Sequence, residues 1–225
     1  MSTEKSCFGS CNSTVTADHM DDASGKSALI AAYAGNMDFV VPFLSAFGSA
    51  NYANSDGDTL LHAASDGWQH KMIEFLLVSG ANPNAQNRNG DTALHTVTRR
   101  RDVPYDGVFL SESEPLVARS ETFSVLLLRG ADTGLLNTQG ANPLHVAAWA
   151  GDSHAIERLG PSSTIDARTA KGATALMLAV LNGHSFCSEQ LMRFGADASL
   201  ELPSGNRILN AIRETDDPDM TRLAP

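Results

Sequence analysis

One phrase recurs along the chain at nearly constant spacing, and it limits the fold more than any other feature. It reads Gly25-Lys-Ser-Ala-Leu-Ile-Ala-Ala, Gly57-Asp-Thr-Leu-Leu-His-Ala-Ala, Gly90-Asp-Thr-Ala-Leu-His-Thr-Val, Gly140-Ala-Asn-Pro-Leu-His-Val-Ala and Gly172-Ala-Thr-Ala-Leu-Met-Leu-Ala. Successive glycines stand 32, 33, 50 and 32 residues apart, and Gly205 follows after a further 33. The step of 50 is one unit carrying roughly 17 extra residues. A second marker keeps the same phase: Gly80-Ala-Asn, Gly130-Ala-Asp and Gly195-Ala-Asp, with Gly48-Ser-Ala a weaker copy. Apolar helix ends such as Ile73-Glu-Phe-Leu-Leu77 precede these glycines. A glycine there closes a helix in the left-handed conformation without a Cβ clash. Units this short cannot bury an apolar face alone, so they must stack.

The phrases resemble the ankyrin repeat, a β-turn followed by two antiparallel helices. The resemblance covers about residues 22–211 and implies an all-α ankyrin-repeat solenoid. About five repeats with hairpin tips are expected near 22–54, 55–87, 88–137, 138–169 and 170–203, with a capping helix at 204–214 containing Ile208-Leu-Asn-Ala-Ile212. In repeat two the helices are expected near 59–66 and 71–78. Residues 1–21 lack the period and read as a disordered tail; 215–225 are acidic, contain Pro218 and read as flexible. Several positions depart from the pattern. The proline before Leu occurs only at Pro143, and Gly35 and Gly67 come one residue early relative to Gly151 and Gly183. Repeat four is one residue short near Leu159-Gly-Pro-Ser-Ser163, so its second helix should end early. These places are expected to be the loosest or most specialised.

Other features narrow the function. The net charge of −10, from 26 acidic and 16 basic residues, argues against direct nucleic-acid binding, which needs a basic footprint. Residues 1–16 lack a signal-type apolar stretch, and the longest apolar run, Ala175–Leu181, is too short to cross a bilayer. Three cysteines suit a reducing compartment, so the cytoplasm, shared with the nucleus, is the expected location. Cys7 and Cys11 lack partners at zinc-ligand spacing. Gly25-Lys26-Ser27 imitates the end of a phosphate-binding loop, but Met20 stands where that loop needs glycine. His62, His95 and His145 share one phase of the repeat, a place held by Ile30 and Met177 elsewhere. The family resemblance implies that they hydrogen-bond neighbouring turns, partnered by Thr59, Thr92 and Asn142. It also marks Asn84 as a candidate for asparagine hydroxylation, beside its plain role of bonding the turn. No metal, cofactor or catalytic residue is expected.

The resemblance further implies that the β-turn tips and first helices line a concave binding surface. Tip positions include Asp56, Asp58, Arg88 and Asp91; first-helix positions are Tyr33, Asp66, Arg99, Arg100, Trp149, Leu181 and Asn182. Trp149 either anchors a partner or covers the neighbouring repeat. Arg99-Arg100-Arg101 is either a solvated helix end or a receiver for acidic groups. The insertion, about 102–117, carries Tyr105 and Phe109 and either folds onto the stack or meets a partner. The expected function is a non-catalytic scaffold, adaptor or inhibitor, monomeric alone, that binds a protein or peptide segment. The alternatives are an effector secreted by an intracellular microbe and an enzyme built on the histidines or Cys187.

Overall fold

The computed structural model describes residues 22–99, 114–160 and 164–201. Among these residues ten helices follow in order: α1 (Asp22–Tyr33), α2 (Met37–Phe47), α3 (Leu60–Asp66), α4 (His70–Val78), α5 (Ala93–Thr98), α6 (Glu114–Leu128), α7 (Pro143–Ala150), α8 (Ser153–Leu159), α9 (Ala175–Leu181) and α10 (Ser185–Arg193). The first helices α1, α3, α5, α7 and α9 pack side by side in one layer. The second helices lie against them, with α4 on α6 and α8 on α10. This is the stacked helix-pair architecture that the period predicts. Its seam is apolar: Leu61, Ile73, Leu76, Leu94, Phe123, Leu144, Ile156, Leu176 and Leu191 are all buried. Each such side chain contributes about 1.5–3 kcal/mol by leaving water.

Repeats two to five each open with a turn whose glycine has positive φ, +79° at Gly57, +71° at Gly90, +69° at Gly140 and +80° at Gly172. The turns are chained by one backbone bond per junction: Arg88 N to Asp56 O at 2.9 Å, Thr138 N to Asn89 O at 2.9 Å, and Ala170 N to Gln139 O at 3.1 Å. Asparagines three residues ahead of the glycine brace the first three of these turns from within, and Thr169 stands at that place in the fourth. Asn54 Oδ1 accepts from the amides of Asp56 and Asp58, Asn87 Oδ1 from Asn89 and Asp91, and Asn137 Oδ1 from Gln139 and Ala141. Thr59, Thr92, Asn142 and Thr174 then cap the first helices.

Repeat one corrects the expected register. Gly25 lies inside α1, not in a turn. A glycine within a helix costs about 1 kcal/mol relative to alanine, but here it leaves room for the Tyr52 ring, whose hydroxyl lies 1.7 Å from where a Cβ would stand. The left-handed residue between paired helices gives the true alignment: Gly35, Trp68, Gly151 and Gly183 have φ of +72°, +54°, +69° and +72°. On that register Leu29, not Ile30, shares the phase of His62, and Ile30 is largely exposed. In repeat two Trp68 takes the left-handed place and Gly67 does not, which accounts for the glycine that comes early.

The second helices follow the sequence more closely. Helix α8 is short, 7 residues against 9 in α4 and α10. Gly160 ends it beneath the Phe194 ring, which a Cβ would meet at 2.2 Å. Helix α6 runs to 15 residues because Glu114 to Val117, expected within the insertion, are helical. The expectations for the two tails, the capping helix, Arg100, Tyr105 and Phe109 lie outside the described residues.

Candidate functional site

The three phase-matched histidines are buried and tied into the turns. The Thr59 amide donates to His62 Nδ1 at 3.2 Å, which leaves the proton on Nε2 to donate to Asp91 O at 2.9 Å. His95 repeats this with the Thr92 amide at 3.1 Å and Ala141 O at 3.0 Å. His145 does so with the Asn142 amide at 3.2 Å and Ala167 O at 2.9 Å. Burial pushes all three below the ordinary histidine pKa, against the opposing pull of the carbonyls they bond. Each ring is therefore neutral near pH 7 with both nitrogens engaged. In repeat five the place passes to Met177, whose sulfur accepts from the Thr174 amide at 3.4 Å.

The expected binding residues divide into two groups. Tyr33, Asp66, Arg99, Trp149 and Leu181 occupy one phase at the ends of successive first helices. Trp149 and Leu181 are 62% and 60% exposed and Tyr33 is 41% exposed, so these rings and chains lie mostly outside the core. The Trp149 carbonyl accepts from His184 Nε2 of the next repeat at 3.1 Å. Asn182 is exposed, and its amide turns back to Leu178 O at 2.7 Å. At the tips Arg88 pairs with Asp56 at 3.5 Å, and Asp58 accepts from Asn87 Nδ2 at 2.8 Å.

Asp91 is a correction. It shares the phase of Asp58 but is only 1% exposed, so it is not available to a partner. Its carboxylate is drawn inward by Asn137 Nδ2 at 3.0 Å and by the Arg99 guanidinium. A hollow of about 440 Å³ opens over repeats one to three and brings together Tyr33, Asp58, Asp66 and Arg99, with His62 in its wall. Trp149 and Leu181 lie outside it, further along the row.

A second polar row escaped the sequence reading. Gln69, Asp152 and His184 stand at the N-caps of α4, α8 and α10, and Arg119, inside the longer α6, holds the same register in repeat three. Arg119 and Asp152 form an ion pair with side chains 8% and 5% exposed. The same guanidinium donates to Val97 O from Nε and Nη2 at 3.1 and 2.9 Å. It also lies 5.6 Å from the Trp68 ring centroid and 5.7 Å from that of Phe123. The available signal was register: Arg119 falls 50 residues after Gln69, the same step as between Gly90 and Gly140.

The sequence comparisons agree with the architecture. The family model described as ankyrin repeats (3 copies) matches residues 7–87 and 116–201, more than half of the chain. The chain belongs to the ankyrin-repeat family. Among curated proteins it is 28% identical to the mouse B-cell lymphoma 3 protein homolog over 84% of this chain and 41% of that protein. It is 36% identical to the protein PhlB of Serratia liquefaciens over 40% of this chain and 47% of that protein. It is 34% identical to an ankyrin repeat protein of Rickettsia felis over 45% of this chain and 41% of that one. The chain thus spans less than half the length of the curated relatives it matches. No helix among the described residues is long and apolar enough to cross a membrane.

Proposed function

We propose that this chain is a non-catalytic interaction module that holds a protein partner against its first-helix face and β-turn tips. One observation carries the reading. The three buried histidines are spent on joining repeats, whereas Tyr33, Trp149 and Leu181 stand exposed at one phase of the row. Bulky side chains held out by a rigid scaffold are the usual anchors of protein interfaces, because little ordering entropy remains to be lost on binding. The module works in the cytoplasm, shared with the nucleus, and is monomeric alone; the acidic, cysteine-poor composition supports this setting.

Affinity capture with the intact chain, repeated with Trp149→Ala plus Arg99→Ala, tests the reading. Partners held by the parent chain and lost from the variant support it. Replacing His62, His95 and His145 by Gln separates it from an enzyme. The module loses stability under that change and keeps whatever affinity survives folding, whereas an enzyme loses turnover.

A further inference from the structure

Equivalent places on the first-helix face are filled differently in the two halves of the stack. Where repeats two and three have Asp58 and Asp91, repeats four and five have Ala141 and Ala173. Near the ends of the first helices, Asp66 and Arg99 give way to Trp149 and Leu181, each more than half exposed. One turn before these, Val146 and Leu178 are half-buried and extend the apolar surface along α7 and α9. None of these places in repeats four and five holds a carboxylate.

The tip of repeat five adds positive charge beside this surface. Lys171 stands just ahead of Gly172, in the row that begins with Asp56 in repeat two. It is exposed and makes no ion pair among the described residues. Arg168, in the same turn, donates to Gly172 O at 2.8 Å, a neutral acceptor that leaves its charge unbalanced. Asp166, two residues away in sequence, is bonded instead to the Asp197 amide at 2.9 Å. The arginines of the other half are offset, Arg88 by Asp56 and Arg99 by Asp91. Across repeats two to five, the unbalanced positive charge described on this face thus adjoins its most apolar stretch, in a chain of net charge −10.

Resting on the interaction-module reading, we infer that the partner lays an acidic, amphipathic segment on repeats four and five, with a carboxylate at Lys171 and a bulky apolar side chain on Trp149 and Leu181. Burial of the apolar anchor supplies most of the affinity. The contact at Lys171 lies at a wet rim, so it governs orientation and association rate more than affinity. Helix α9 rises about 1.5 Å per residue, so its ends stand about 9 Å apart, with the Lys171 tip a few ångströms beyond. An extended segment laid along α9 advances about 3.3 Å per residue, which puts its two anchors about three to five residues apart.

The test selects phage-displayed random 12-residue peptides on the intact chain and measures the enriched peptides by fluorescence polarisation. The net charge alone would draw basic peptides, so the selection sets the local charge against the global one. The expected peptides carry Asp or Glu three to five residues from Trp, Phe or Leu. Lys171→Glu should weaken them about five- to tenfold at low salt and flatten their salt dependence. Lys71→Glu makes the same charge change at an exposed place on α4, outside this face, and should alter affinity by less than about twofold. Trp149→Ala should weaken the peptides about tenfold without changing the salt dependence. Thermal melts confirm that each variant is folded. Enrichment of basic peptides, unchanged affinity in Lys171→Glu or Trp149→Ala, an equal loss in Lys71→Glu, or no enriched peptide at all overturns the inference. Under any of these results the module reading still stands if captured proteins are lost with Trp149→Ala plus Arg99→Ala, and it falls if they are not.

Discussion

Arg119 and Asp152 are joined across the boundary between repeats three and four, the boundary that lacks the loop bridge found at the other junctions. At junction one–two, Asn51 bonds Gly80 O at 3.0 Å and the Asn82 amide at 2.7 Å. At junction two–three, Asn84 bonds Gly130 O at 3.1 Å and the Asp132 amide at 2.8 Å. Asp166 takes the Asp197 amide at 2.9 Å at junction four–five. The corresponding residue for junction three–four is Gly134, which has no side chain to reach across. With the loop bridge missing, the buried ion pair joins the His95–Ala141 O and Arg158–Ser120 bonds in tying that junction, between an elongated α6 and a shortened α8.

Asp152→Asn tests this directly. Asp152 Oδ1 caps α8 through the Ala155 amide at 3.1 Å, and Asn can keep that bond while losing the charge. Stripping one partner from a buried pair costs about 3–5 kcal/mol. In a stack whose repeats contact only their neighbours, that loss falls on one junction. Urea unfolding should then separate into two steps, with amides of repeats four and five exchanging before those of repeats two and three. A single transition at the parent midpoint would refute it.

The histidine row makes stability depend on pH. His62, His95 and His145 titrate below the ordinary value of 6.5 when folded. As pH falls through that value, the unfolded chain takes up protons that the folded chain still refuses. Their contribution is full above about 6.5 and declines below it until the folded pKa values are reached, by up to about 1.4 kcal/mol per pH unit for each ring. Urea midpoints should be level from pH 7 to 8 and fall from pH 6.5 to 5.5. The triple Gln variant should be weaker at pH 8 but less sensitive to acid. A parent profile that stays level to pH 5.5 would contradict the assignment.

Asn84→Ala removes both bonds of the loop bridge at junction two–three. Leaving Gly130 O and the Asp132 amide to find water at a partly exposed site should cost about 1–2 kcal/mol. The effect is read as a lower urea midpoint. Gly134→Ala, which breaks no such bridge, should not reproduce it.

Repetition decided what the sequence could disclose. The tip glycines, the capping Thr and Asn residues and the core leucines recur because every repeat solves the same backbone and burial problem. Pattern failed where one repeat differs. Gly25 copies a tip glycine yet serves a helix under Tyr52, and Trp68 rather than Gly67 takes the left-handed place. Asp91 and Asp58 share a phase, but Asn137 and Arg99 pull only Asp91 inward. The Arg119–Asp152 pair was hidden because the insertion breaks the register ahead of Arg119. Charge at one position says nothing of a partner 33 residues away in sequence.

Gly67 carries the last prediction. Its φ of −84° is open to any residue, so backbone strain does not require glycine there. Space does: a Cβ would stand 2.0 Å from Tyr33 O, a backbone atom of the preceding repeat. The chain passes so close because Gly67 lies in the loop that follows α3 and faces the end of α1. Gly67→Ala must therefore push repeats one and two apart, with an expected loss of about 1–3 kcal/mol. Gly80→Ala separates crowding from conformation, since Gly80 has φ of +90° but no atom near its Cβ position. The two variants should differ in where they act. Gly67→Ala should speed amide exchange in α1 and α2 on the far side of the strained junction, whereas Gly80→Ala should loosen the end of α4. Equal exchange in α1 before and after Gly67→Ala would show that the close approach to Tyr33 does not hold the first repeat in place.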